Sequence, residues 1–180
     1  MNELLPHMKQ HFDTLQDRLA CFREQEVQVE GWFKGEMLLL LTNLRKKGIV
    51  EGFDREAGPG GKVDLIVKIA GSRHCIELKH WLVGVQRGAR LTPAFYFGDP
   101  TPVGVLRDVD KLSRFEPEDG KWLLILMTDN PRDDLWQRGL ERFHSKFCPR
   151  VLLPKSQPEQ FPDSYFLGLL QIEATATAGA

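Results

Sequence analysis

The sequence predicts an α/β protein, of the α+β kind, with a mixed central sheet flanked by helices. Residues 1–47 carry apolar side chains at helical spacing, residues 49–81 contain three consecutive strand-like segments, and residues 103–173 alternate helical and strand-like segments. A meander followed by such alternation gives a sheet with antiparallel and parallel pairs, covered by helices. With 180 residues, of which 42% are hydrophobic, we expect a single domain over 1–180.

Two helices are predicted before the first strand. Residues 3–23 repeat apolar side chains every three or four positions, and residues 33–47 carry a second apolar stripe. The second helix ends in a basic turn followed by Gly48, a common helix stop. Residues 1–30 are expected to be an N-terminal helical extension of the domain.

The remaining elements follow in chain order. Apolar runs bounded by glycine-rich stretches predict strands and turns, and amphipathic runs predict helices. These are strands 49–56, 62–70 and 74–81, turns 58–61 and 71–73, a long loop 82–102, helix 103–115, strand 121–129, helix 131–147, strand 164–173 and a disordered tail 174–180.

Composition narrows the classes of protein. The formal net charge is −1 and the pI about 6.5, so any nucleic-acid binding must come from a local basic patch. The three cysteines form no C-x-x-C pair, which disfavours a zinc ribbon or a disulfide framework. Neither a secretory signal nor a membrane-spanning stretch is evident, so we expect a cytoplasmic protein without a membrane partner.

An acid and a base point the same way out of one predicted strand. Glu77 and Lys79 lie two residues apart and therefore share a face. If the preceding turn is Gly71–Ser72, Asp64 faces Lys79, while Glu77 faces Ile66 and lies diagonal to Asp64, with Cβ separations of about 5 and 7 Å. An even-numbered turn is needed, because an odd one would move one set to the other face.

Such a cluster suits a divalent cation. The repulsion between two neighbouring carboxylates is relieved when they bind one shared cation, and oxygen ligands favour Mg²⁺ or Mn²⁺. A nearby lysine can orient or deprotonate a water, or stabilise negative charge on a phosphorus centre, which together suit phosphodiester hydrolysis. The alternative is a solvated face, on which Asp64, Lys68, Glu77 and Lys79 form weak surface ion pairs.

The segments "KVDLIV" and "IELK" resemble the PD-(D/E)xK nuclease superfamily, whose fold is restriction-endonuclease-like. Asp64 matches the first acid of that motif, although Val63 stands where proline is usual, and Glu77 and Lys79 match the ExK half. The resemblance covers roughly residues 33–130 and implies an αβββαβ core.

The resemblance also implies roles for individual residues. Asp64 and Glu77 would bind Mg²⁺ or Mn²⁺ with the backbone carbonyl of Leu78, and Lys79 would position or activate the attacking water. Glu36, on the helix before the first strand, would complete an outer ligand set.

Nucleic-acid contacts are expected from two regions. Arg87 and Arg90 lie among aromatic residues in the 82–102 loop, where bases could stack while arginines meet phosphates, and Lys111 belongs to a basic stripe on the 103–115 helix. A loop folded over the core and a merely solvated helix face are the alternatives.

The sequence therefore predicts a Mg²⁺-dependent nuclease, with DNA as the expected substrate and a homodimer as one possible assembly. Two other functions remain open: a catalytically weak module of the same fold that binds nucleic acid or protein, and an interaction protein with a non-catalytic hairpin.

Overall fold

The computed structural model describes residues 1, 3–57, 62–81, 84–86, 89–91, 104–116, 120–128, 151–152, 159–161 and 165–172. The predicted turn 58–61, helix 131–147 and tail 174–180 lie outside these residues.

The described residues form four helices and nine strands, and seven of these strands belong to one sheet. In chain order the elements are α1 (Leu5–Asp13), α2 (Gln16–Glu24), α3 (Glu30–Lys46), β1 (Gly52–Ala57), β2 (Val63–Ile69), β3 (Ser72–Trp81), β4 (Gly84–Gln86), β5 (Ala89–Leu91), α4 (Val105–Ser113), β6 (Gly120–Met127), β7 (Val151–Leu152), β8 (Glu159–Phe161) and β9 (Tyr165–Ile172).

The sheet is mixed, as predicted. Its strand order is β1-β2-β3-β6-β9-β7, with β8 also paired to β9. The first three strands form an antiparallel meander, β3 runs parallel to β6, and β6 runs antiparallel to β9. Helix α4 provides the crossover between the parallel pair, so the prediction of a mixed sheet flanked by helices is confirmed.

The prediction of one helix over 3–23 is wrong, because the chain forms two helices. Thr14 ends α1, and its hydroxyl donates to the His11 carbonyl at 2.7 Å. Leu15 then leaves helical geometry, with φ −113° and ψ 14°. A threonine hydroxyl competes for backbone carbonyls in this way, and apolar spacing alone does not register such a break.

Helix α3 begins three residues earlier than predicted and ends one residue earlier, with Lys47 as its C-cap. Gly48 has a φ of +72°. Its N–H donates to the Arg45 carbonyl at 3.0 Å, and the next N–H, of Ile49, donates to the Leu44 carbonyl at 3.0 Å. These two bonds satisfy carbonyls at the helix end, as in a Schellman motif, which glycine favours.

The region 82–102, predicted as a loop, contains a short hairpin. Strands β4 and β5 pair antiparallel, with Val85 opposite Arg90. Three-residue strands give too short an alternation to be read from sequence.

The β2–β3 turn has the even length that was predicted, but the predicted register is wrong by two residues. Ile69 pairs with Ser72, so the turn residues are Ala70 and Gly71. Both have positive φ, 50° and 75°, as a type I′ hairpin turn requires. A shift of two residues preserves which face each side chain occupies.

The sheet has two differently covered faces. On one face, buried residues of β2, β3 and β6 pack with the apolar stripes of α1 and α3, and this cluster contains Phe12, Met37, Leu65, Ile76 and Leu124. On the other face α4 packs against β3 and β6. Among the described helices none is long and apolar enough to cross a membrane.

Candidate active site

Asp64 lies at a break in the sheet's backbone pairing. The β1–β2 ladder pairs Arg55 with Leu65 but passes over Glu56 and Asp64, and Glu56 has a φ of +50°. The β2–β3 ladder begins at the pair Leu65–Ile76. Beyond it, the Leu78 N–H donates to Asp64 Oδ2 at 3.0 Å. The Asp64 carboxylate therefore takes the place of a backbone acceptor where β2 and β3 separate.

Glu77 is the most buried carboxylate of this region, with 3% of its side chain exposed. The observed register, continued by one pair, sets it opposite Asp64. Its Oε1 contacts the ammonium of Lys111 from α4. Burial, together with the charge of Asp64, raises the pKa of Glu77 to about 8 against the opposing effect of Lys111. Glu77 is therefore largely protonated at neutral pH in the metal-free protein.

Lys79 is held by two acids from different helices. Its ammonium lies 3.1 Å from Asp108 Oδ2 on α4 and 3.7 Å from Glu30 Oε2 on α3. Burial acts to lower the pKa of Lys79, but these carboxylates outweigh it and raise the pKa. Burial likewise raises the pKa of Asp108, against the effect of Lys79. Lys79 is thus a fixed cation on the same face as Glu77.

A second lysine, Lys34 of α3, neutralises Asp64. Its Nζ lies 2.8 Å from Asp64 Oδ1 and 3.0 Å from Glu56 Oε1. Burial acts to raise the pKa of Asp64, but the hydrogen bonds from Lys34 and from the Leu78 N–H outweigh it and lower the pKa. Asp64 therefore stays ionised while Glu77 holds a proton, a separation of roles typical of paired carboxylates in catalytic sites.

A buried histidine fixes the start of α3 beside these groups. His80 Nδ1 accepts from the Val29 N–H at 3.2 Å, and His80 Nε2 lies 2.7 Å from Thr128 Oγ1. Burial lowers the pKa of His80 to about 4, so the ring is neutral. This link ties the N-terminus of α3 to the ends of β3 and β6, and it brings Glu30 and Lys34 to the site.

The group of charged side chains, called here the acid–lysine cluster, contains more carboxylates than ammonium groups. Its members among the described residues are Glu30, Lys34, Glu56, Asp64, Glu77, Lys79, Asp108 and Lys111. Five carboxylates face three ammonium groups. When all eight groups are ionised, the cluster carries a net charge of −2, although each carboxylate lies near a lysine.

The oxygen atoms of the cluster suit a hard divalent cation. Glu77 Oε1 and Asp108 Oδ2 are buried and accept no hydrogen bond of ordinary geometry from the described residues, although an ammonium lies beside each. No group of three or more His, Cys, Asp or Glu side chains poised to hold a metal occurs in the described part of the chain. Mg²⁺ commonly uses only one or two carboxylates and keeps several waters, so the pair Asp64 and Glu77 fits it.

The structure does not bring Glu36 to the cluster. Its carboxylate lies 3.0 Å from His11 Nε2 and 3.7 Å from Arg18 Nη1, so it faces α1 and α2. Glu30, one of the two acids on Lys79, is the α3 acid beside the site. Six residues advance a helix by about 240° and 9 Å, which separates the two glutamates.

Of the predicted nucleic-acid contacts, only Lys111 is described with its side chain. Arg87 lies outside the described residues, and Arg90 is placed on β5 by its backbone alone. Lys111 points to Glu77, and its Nζ is 3.9 Å from Asp108.

Sequence reasoning missed Lys34, Glu30 and Asp108. The i, i+3 spacing of Asp108 and Lys111 marks a shared helix face and was the one available signal.

Compared with known proteins, the chain matches no family model, no curated protein and no solved structure.

Proposed function

We propose that the chain is a metal-dependent phosphodiester hydrolase, a nuclease that acts on DNA, with a restriction-endonuclease-like fold. The observation that carries the proposal is the meeting of Asp64 and Glu77 at the β2–β3 separation, beside Lys79 on the same face. The order α3, β1, β2, β3, α4, β6 supports it, because the resemblance implies an αβββαβ core in which β4 and β5 would be an insertion.

The chain's own groups have distinct tasks in this proposal. Asp64 and the deprotonated form of Glu77 would hold the cation, because metal ligands must be deprotonated. Bound Mg²⁺ supplies a Lewis acid and a water of lowered pKa. Lys79 acts as a cation, since its raised pKa makes it a poor proton acceptor. It orients the water and stabilises the charge that develops on the phosphate.

A second candidate function is a binding module of the same fold with little activity. The observation that favours it is the engagement of each inner carboxylate by a lysine: Asp64 by Lys34, Glu77 by Lys111 and Asp108 by Lys79. A site satisfied by internal ion pairs needs no metal in order to be stable.

Cleavage assays separate the two functions. Supercoiled plasmid and a labelled duplex are incubated with Mg²⁺, Mn²⁺ or EDTA and with wild type, Glu77→Gln, Lys79→Met or the exposed control Glu116→Gln. A nuclease cuts only with metal, loses cutting in the first two variants and retains it in the control. Cutting that survives in Glu77→Gln and Lys79→Met contradicts the proposal. Metal-independent binding without cutting favours the binding module.

A further inference from the structure

Lys111 is the most exposed lysine of the acid–lysine cluster. Lys34 and Lys79 are each held by two carboxylates, from different elements. Lys111 also has two carboxylates near it, Glu77 in direct contact and Asp108 of its own helix at 3.9 Å. What separates the three lysines is the exposed fraction of the side chain, which is 30% for Lys111, 24% for Lys34 and 14% for Lys79. Lys111 is therefore the lysine of the cluster with the most access to solvent.

The Lys111 ammonium lies on the Glu77 oxygen that a bound cation would also use. Glu77 Oε1, the oxygen that Lys111 contacts, is buried and accepts no ordinary hydrogen bond from the described residues. Any cation that Glu77 binds through this oxygen meets the ammonium there. A divalent ion and an ammonium repel one another strongly in a partly buried site, so both cannot share the atom.

The displaced ammonium needs a new anion. Asp64 and Asp108 already have lysines of their own, at 2.8 and 3.1 Å. A phosphate of a substrate beside the site is a suitable partner, since lysine binds phosphate as a flexible point charge.

We propose that Lys111 is a displaceable internal cation, which occupies Glu77 Oε1 in the metal-free protein and turns to a substrate phosphate when a divalent cation binds. The proposal rests on the proposed function and adds to it a coupling: divalent cation and nucleic acid bind cooperatively through the exchange of one ammonium. If the cation strengthens the binding of nucleic acid, reciprocity of binding free energies requires that nucleic acid strengthens the binding of the cation by the same factor.

Calorimetric titration with Mn²⁺ alone, at about pH 8, where a carboxylate ligand can be deprotonated, tests the first half. Lys111→Met removes the competing ammonium, and we expect this variant to bind Mn²⁺ at least about tenfold tighter than wild type, a change of about 1.4 kcal/mol.

Arg114→Met is the matched control, because it removes one positive charge from the end of α4 while its partner is Asp110, outside the cluster. Its Mn²⁺ affinity should stay within about twofold of wild type. If Lys111→Met does not fold, as judged by circular dichroism, Lys111→Gln replaces it with the same expected result.

Duplex binding with Ca²⁺ in place of Mg²⁺ tests the second half. Wild type should bind the duplex with a steeper salt dependence in Ca²⁺ than in EDTA, and Lys111→Met should lose about one unit of that slope, the change expected for one phosphate contact. In EDTA the two proteins should have the same slope, because Lys111 is then engaged by Glu77.

The possible failures are distinguishable. If wild type binds no Mn²⁺, or if Glu77→Gln binds it equally well, the proposed function fails and the exchange fails with it. If wild type binds Mn²⁺ through Glu77 but Lys111→Met binds it no tighter, the proposed function stands and the exchange is overturned. An unchanged Ca²⁺-dependent salt slope in Lys111→Met overturns the transfer to phosphate.

Discussion

Replacing Glu77 by glutamine should stabilise the metal-free protein increasingly as the pH rises. The folded-state pKa of Glu77 is about 8, against an ordinary value of 4.5. A group whose pKa is raised by folding contributes stability that is fully present below its unfolded value and is lost as the pH rises through its folded value. Glutamine resembles the protonated acid and cannot ionise, so the variant keeps the stability that wild type loses as the pH rises. The difference should reach about 3 kcal/mol at pH 7 and at most about 5 kcal/mol above pH 8.

Urea denaturation in EDTA, from about pH 5 to pH 8.5, measures this difference. Any change that substitution makes to the Lys111 contact shifts the variant by a similar amount at every pH, so the slope with pH is the informative quantity. Glu116→Gln, at an exposed position, supplies the control and should run parallel to wild type. Parallel curves for Glu77→Gln and wild type would mean that Glu77 titrates alike in the folded and unfolded chains, so that folding does not raise its pKa.

Three further outcomes follow from the same contacts. Lys79→Met should lower metal-dependent cleavage at least about 100-fold while calorimetry still detects Mn²⁺ binding; loss of Mn²⁺ binding would contradict a purely electrostatic role. Folding lowers the pKa of His80 from 6.5 to about 4, so the protein should lose up to about 3 kcal/mol of stability as the pH falls between these values. In a denaturation series, His80→Gln should abolish this dependence on pH; a dependence that persists would assign it to another group. Glu30→Gln should slow cleavage more than Glu36→Gln, which should mainly lower the melting temperature; the reverse order would restore the role that the resemblance implies for Glu36.

The sheet and the faces of its strands could be predicted from sequence because alternation has a period of two. Asp64 and Glu77 come together on one face, and a register shift of two residues left that prediction intact. The register itself depends on which two residues accept positive φ. Ala70 does so here, and no sequence rule favours alanine at such a position.

The partners of the site could not be predicted because they come from packing between distant segments. Lys34 reaches Asp64 across 30 residues of sequence, and Asp108 reaches Lys79 from the crossover helix. Helical spacing says which residues share a face but not what lies opposite that face. Glu30 lay outside the predicted helix, which was expected to begin at residue 33, so its place beside Lys79 could not be predicted.

Anomalous diffraction from crystals soaked in MnCl₂ can show whether Asp64 and Glu77 share a divalent cation. We expect an anomalous peak bonded to a carboxylate oxygen of Asp64 and to one of Glu77, at about 2.0–2.3 Å as for a hard divalent ion, with the ammonium of Lys111 moved away from Glu77. Crystals that show no peak between these two carboxylates, while Lys111 remains on Glu77, would contradict this expectation.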